Sequence, residues 1–90
     1  MTGAGDKIAL EIVTPRGRAL MAAVDEVTAP SVQGEFGVLA GHAPFMTTLK
    51  EGRVKVYDDD DTLTFEVRGG FADVTPEGLT ILAEHASEVT

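Results

Sequence analysis

The residues most able to do chemistry are four carboxylates in a row, Asp58-Asp59-Asp60-Asp61, which would attract a cation. A calcium loop counted from Asp58 puts Asp60 at its third place, but Leu63 stands where the tight turn needs Gly and Gly69 where a bidentate Glu should be. The run therefore reads as a solvated reversal between two strands, whose charge discourages edge-to-edge association. His42 and His85 are the only histidines, and without Cys a zinc ion would need carboxylates from separate strands to complete its ligands. His42 with Glu35 or Asp25 would suit a general base, yet no Ser or Cys stands beside it in an elbow context. Gly34, Gly37 and Gly41 follow neither the G-x-G-x-x-G nor the G-x-x-x-x-G-K-[ST] order, and no long helix follows them. Loop conformation explains them better than phosphate binding.

Composition removes further classes. The absence of Cys excludes disulfide scaffolds and thiolate chemistry and fits a reducing compartment. Seven basic against fifteen acidic residues give a formal charge of -8, the wrong sign for nucleic acid, and the scattered cations form no amphipathic basic helix for anionic lipid. No apolar stretch approaches the roughly 20 residues of a membrane-spanning helix, and the first residues do not form a secretory signal. The expectation is a soluble intracellular protein with protein partners, no cofactor, no metal and no direct lipid insertion.

The elements that must position these residues are short strands between turn signals. Ile8 to Val13 alternates; Thr14-Pro15-Arg16-Gly17 turns the chain; Arg18 to Ala23 is too short and too well bounded for a helix. Residues 30–44 hold three Gly and two Pro, the composition of a shaped loop with a short strand inside it. Phe45 to Leu49, Arg53 to Tyr57 and Thr62 to Arg68 read as strands, the last two as a hairpin around a four-residue acidic loop. Phe71 to Thr75 and Leu79 to Glu84 close the regular part. The predicted core is Ile8, Leu10, Ile12, Leu20, Val27, Phe36, Val38, Leu49, Val54, Val56, Leu63, Phe65, Val67, Phe71, Val74, Leu79 and Ile81. Spacing alone implies an all-β, mostly antiparallel domain, with residues 1–7 a flexible N-terminal segment, 8–86 the domain and 87–90 a tail.

Five motifs then stand in one order. Gly34-Glu35-Phe36-Gly37-Val38-Leu39-Ala40-Gly41-His42-Ala43-Pro44 resembles the glycine-rich signature of the epsilon subunit of F-type ATP synthases, G-E-[L/F]-G-[I/V]-L-P-G-H-A-P. Val13-Thr14-Pro15 is similar to that family's opening turn, Leu49-Lys50-Glu51-Gly52 to its L-K-x-G, Gly69-Gly70-Phe71-Ala72-Asp73-Val74 to its G-G-[F/I]-x-x-V, and Leu79 to Glu84 to its closing strand. Ala40 departs from the family's Pro, so the loop loses one fixed φ.

The resemblance implies a flattened β-sandwich of about ten strands that performs no catalysis. It implies a place in the central stalk on the cytoplasmic side of a bacterial inner membrane, coupling proton-driven rotation to ATP synthesis. The partners it implies are the gamma subunit and the polar loops of the c-ring, with the catalytic head reached only through the assembled complex. Carried over one residue at a time, Gln33, Glu35 and Phe36 fall on the c-ring side, and Thr14, His42, Met46 and Thr47 on the gamma side. The helical hairpin that follows the sandwich in many members is missing up to Thr90, so its inhibitory role is not expected here. The rival readings are a cation- or small-ligand-binding β-domain and, more remotely, a hydrolase using His42.

Overall fold

The computed structural model describes residues 7–89, so of the expected N-terminal segment all but Lys7 lies outside the described residues. Eight strands follow one another: β1 (Ile8–Thr14), β2 (Gly17–Val24), β3 (Glu26–Ser31), β4 (Gly34–Leu39), β5 (Phe45–Thr48), β6 (Gly52–Asp58), β7 (Asp61–Val74) and β8 (Gly78–Val89). Hydrogen bonding runs in the order β2-β1-β8-β7-β6-β3-β4, with β5 on the lower part of β7. Every pairing is antiparallel except β1 with β8.

The sandwich arises because β7 and β8 each serve two layers. Residues 61–67 of β7 pair with β6, while Phe71 to Val74 pair with β5 and with Leu79 to Leu82 of β8. The lower part of β8 also pairs with β1, and its upper part, His85 to Val89, with Arg68 to Thr64. One layer is thus β2-β1-β8-β7-β5 and the other β8-β7-β6-β3-β4, joined through two bent strands. The bend falls at Gly69 and Gly70, with φ of 63° and 114°. Such values suit glycine and strain other residues. A Cβ on Gly70 would lie 1.9 Å from the Leu82 carbonyl oxygen, so the close approach of the two strands also requires a bare backbone there. Counting each bent strand twice brings eight strands to the expected number of segments. The last strand continues through Ser87, Glu88 and Val89, where a tail was expected.

A single core fills the space between the layers. β1, β7 and β8 contribute Ile8, Leu10, Ile12, Ala72, Val74, Leu79, Ile81 and Ala83; β3, β4, β6 and the upper part of β7 contribute Val27, Ala29, Val38, Val54, Val56, Phe65 and Val67. Removing this apolar area from water is the main favourable contribution to folding. Leu20 and Phe36 pack on the margin of the core. Two expected core residues lie outside it. Phe71 is 51% exposed because the positive-φ pair before it reverses the alternation, burying Ala72 and Val74 instead. Leu63 is 37% exposed because it pairs with Val56 beyond Thr64, where the pairing of β7 with β8 ends.

The glycine- and proline-rich middle is more regular than its composition suggests. β3 and β4 form a hairpin whose reversal is only Val32-Gln33, and Pro30 lies inside β3, above the last β3–β6 pair at Thr28. A proline is tolerated there because no donor is needed on that side. The acidic loop is also tighter than expected: Asp58 pairs with Asp61, leaving Asp59-Asp60 as the turn, with Asp59 at φ 54°.

Candidate functional site

Six of the residues singled out by sequence, Gly34 among them, meet around one groove. Gln33 from the β3–β4 turn, Glu35 and Phe36 from β4, and Met46 and Thr47 from β5 line a shallow cleft between the edges of the two layers. Phe36 and Phe45 hold it together edge to face, 5.3 Å between ring centres at 76°. Ser31 fixes the turn from inside: its buried hydroxyl donates to the Gly34 carbonyl oxygen at 2.6 Å and accepts from the Gln33 amide at 3.1 Å. Gly34 has a φ of 120° and Gly41 of 79°, whereas Gly37 is an ordinary strand residue paired with Thr28.

Strand alternation divides the expected contacts. Glu35 points to solvent and Phe36 toward the core; Met46 is 66% exposed while its neighbour Thr47 turns inward. Met46 and Thr47 therefore occupy opposite faces of β5. His42 sits on the connection between the layers, stacked edge to face on Phe45 at 5.4 Å. Its Nδ1 lies 2.9 Å from the Ala43 carbonyl oxygen, and its amide donates to the Leu39 carbonyl oxygen at 3.1 Å. Among the described residues it makes no ion pair, and its surroundings are those of a packed loop residue. Thr14 is remote from the groove and ties the β1–β2 turn, accepting from the Arg16 amide at 3.1 Å.

The acidic residues are organised by a lysine. The Lys7 ammonium lies 2.6 Å from Asp58, 2.9 Å from Asp25 and 3.7 Å from Asp59, while the Asp59 amide donates to Asp25 at 2.7 Å. These three carboxylates form the one cluster among the described residues able to gather three metal ligands, and Lys7 already supplies its cation. Hydrogen bonds to Asp58 and then Asp25 raise the Lys7 pKa. The Asp25 carboxyl is held below its usual range, first by the Asp59 amide and then by Lys7. The cluster fastens the start of β1, the corner between β2 and β3, and the β6–β7 tip to one another.

A larger feature escaped the sequence reading. On the outside of the β2-β1-β8-β7-β5 layer, Val13, Leu82, Phe71 and Thr48 stand in one cross-strand row. Beside it runs the row Met21, Glu11, Thr80, Asp73 and Met46. Leu82 is 48% exposed and Met21 66%. Gathered apolar side chains on one outer face mark a contact surface, unlike single exposed ones such as Val32 and Leu39. Two signals announced it: Leu82 follows Ile81 out of phase with the inward set, and Gly69-Gly70 precedes Phe71.

Residues 7–89 match the family described as ATP synthase, Delta/Epsilon chain, beta-sandwich domain. The ATP synthase epsilon chain of Caulobacter vibrioides is 57% identical over 82 residues, 91% of this chain and 95% of that protein. The ATP synthase epsilon chain of Hyphomonas neptunium is 55% identical over 86 residues, 94% of this chain but 64% of that relative's length. In the Euglena gracilis mitochondrial ATP synthase, solved with OSCP, F1 and c-ring, one chain superposes with a TM-score of 0.87 at 27% identity, over 92% of this chain and 54% of its own.

Proposed function

The chain belongs to the ATP synthase delta/epsilon-chain β-sandwich family, and from that we propose that it is a non-catalytic component of the rotary central stalk that holds the gamma subunit against its apolar outer face. The observation that carries this reading is the row of Val13, Leu82 and Phe71 with Met21 and Met46 beside it. A chain with a net charge of -8 gains nothing by leaving these side chains in water, and a protein partner removes them from it. Met46, expected on the gamma side from the sequence, belongs to this surface.

The second half of the proposal concerns the c-ring. Gln33 and Glu35 project from the tight β3–β4 hairpin, exposed and backed by the Phe36–Phe45 pair. Polar groups on a rigid tip suit a contact that must orient rather than bind tightly. In this reading torque passes between ring and gamma with the sandwich as clamp, on the cytoplasmic side of a bacterial inner membrane. Its contribution is mechanical and no bond is made or broken on it.

Binding to purified gamma tests the reading. Phe71→Asp places a charge at the centre of the apolar face while leaving the core untouched, and should weaken binding at least about tenfold, the effect of losing a moderate hot spot. Unchanged binding by Phe71→Asp, with the fold verified by circular dichroism, would remove this face from the interface.

A further inference from the structure

The apolar face has an unequal distribution of charge around it that specifies the chemistry of what it receives. Among the described residues the cations are Lys7, Arg16, Arg18, Lys50, Arg53, Lys55 and Arg68. Lys7 is occupied by Asp25 and Asp58, and Arg18 by Glu11 at 2.8 Å. Arg53, Lys55 and Arg68 belong to β6 and the upper part of β7, in the other layer. Arg16, on the β1–β2 turn, and Lys50, after β5, make no ion pair, and Asp73, Glu77 and Glu84 likewise have no ion-pair partner among the described residues. Asp73 stands between Thr80 and Met46 within the exposed rows, and Glu77 on the turn before β8.

Next to Glu77 the face is hollow. Ala9 and Ala23 pair directly across β1 and β2, and their short exposed side chains floor a trough of about 430 Å³. Met21 stands on one side of it and Glu77 on the other. The trough lies beyond the Met21–Glu11–Thr80 row, on the side away from Leu82 and Phe71, so a partner that covers Phe71 and extends across the Met21 row reaches it.

We propose that this face receives, from the gamma subunit, a segment whose large apolar side chain enters the trough over Ala9 and Ala23 while flanking lysine or arginine side chains pair with Glu77 and Asp73. The inference rests on the reading that gamma covers this face, and adds the depth and the charge of the contact. An apolar anchor in a pocket rimmed by complementary charge is the common arrangement of a specific interface: the anchor holds the complex and the rim guides its approach. The unpaired carboxylates beside the apolar rows attract a basic partner to this face.

Affinity for purified gamma, measured by calorimetry at low and high salt, tests this with four proteins. The parent binds, and Phe71→Asp weakens it. Ala23→Trp fills the trough from an exposed position and should weaken binding at least about tenfold at both salt concentrations. Glu77→Lys lies on an exposed turn where folding is not at stake; it should weaken binding several-fold at low salt, with the difference from the parent shrinking at high salt. If Phe71→Asp loses affinity while Ala23→Trp and Glu77→Lys both bind like the parent, the trough and its acidic rim are not used and this inference falls, leaving the apolar row as interface. If the parent itself does not bind gamma, both readings fall together.

Discussion

On the outside of one layer Val13, Leu82 and Phe71 line up across three strands, while on the outside of the other the corresponding positions hold Arg53, Lys55, Glu66 and Thr64. In the second case the charges answer one another: Arg53 lies opposite Glu66 in register, and Arg68 reaches Glu51 at 3.6 Å. In the first, Glu11 pairs with Arg18 at 2.8 Å, but Asp73, Glu77 and Glu84 have no ion-pair partner among the described residues, and Leu82 and Phe71 stand exposed. The polar face is complete in water; in the proposed reading a partner completes the apolar one. Both are crossed by the same two strands, so what separates them is the bend at Gly69 and Gly70. The comparison teaches that a glycine pair positions a binding surface as effectively as the side chains that form it.

The largest effect should come from removing the bend. Gly70→Ala drives a Cβ into the Leu82 carbonyl oxygen and strains a φ of 114°, and should cost about 4 kcal/mol or more, a large share of what a small domain has. Gly37→Ala, whose Cβ would meet nothing closer than 3.6 Å, is the control and should stay within about 1 kcal/mol. Urea denaturation followed by circular dichroism measures both, and equal effects would deny the bend its role.

Next come two phenylalanines of β7, one in each half. Phe65 is 4% exposed and Phe71 51%, so Phe65→Ala should destabilise by about 3–5 kcal/mol and Phe71→Ala by about 1 kcal/mol or less. For binding to gamma the order should be reversed among variants that remain folded. A Phe71→Ala protein as unstable as Phe65→Ala would place that ring in the core after all.

The sequence made one half of this comparison easy to read. Leu63, Phe65 and Val67 alternate with polar residues, and the β6–β7 hairpin appeared where that pattern put it. Carrying the same count forward assigns Phe71 to the core, because periodicity has no means of registering a φ that reverses the phase. Ala29, Ala72 and Ala83 were missed for another reason: a methyl group fills space where layers approach, but gives little sign of burial. At the candidate site the hairpin residues Gln33, Glu35 and Phe36 could be grouped by adjacency. That Met46 and Thr47 face opposite ways follows from their being in a strand, and Thr14 was joined to them only by family resemblance.

A smaller effect is expected at the acidic end. Lys7→Gln releases Asp25 and Asp58 from their shared cation and should lower the melting temperature modestly, without changing gamma binding. The pH dependence gives the sign. Asp25 has a depressed folded pKa, so its contribution is present above the unfolded value of about 3.9 and disappears as pH falls through the folded one. Lys7 has a raised pKa, so its contribution is present below about pH 10.4 and disappears as pH rises beyond it. In Lys7→Gln the alkaline loss attributable to this residue should vanish, while part of the acid loss remains because the Asp59 amide still holds Asp25. Melting curves from pH 3 to 11 measure it, and an unchanged alkaline limb would contradict the assignment.

The smallest effect belongs to Glu35, exposed at the hairpin tip. Glu35→Gln should reduce attachment to a gamma-bearing c-ring complex by no more than about fivefold, since a rim ion pair contributes about 0–1 kcal/mol and weakens with salt. Pull-down at low and high salt detects it, and a loss that persists at high salt would argue for a buried contact.

The central claim, that one outer face is covered and the other is not, is tested most directly by hydroxyl-radical footprinting with and without gamma. Met21, Met46, Phe71 and Leu82 report on the apolar face, while Tyr57 and Leu63 report on the opposite layer. The account predicts protection of the first four, with the last two modified as before; protection of Tyr57 and Leu63 with the four unchanged would contradict it.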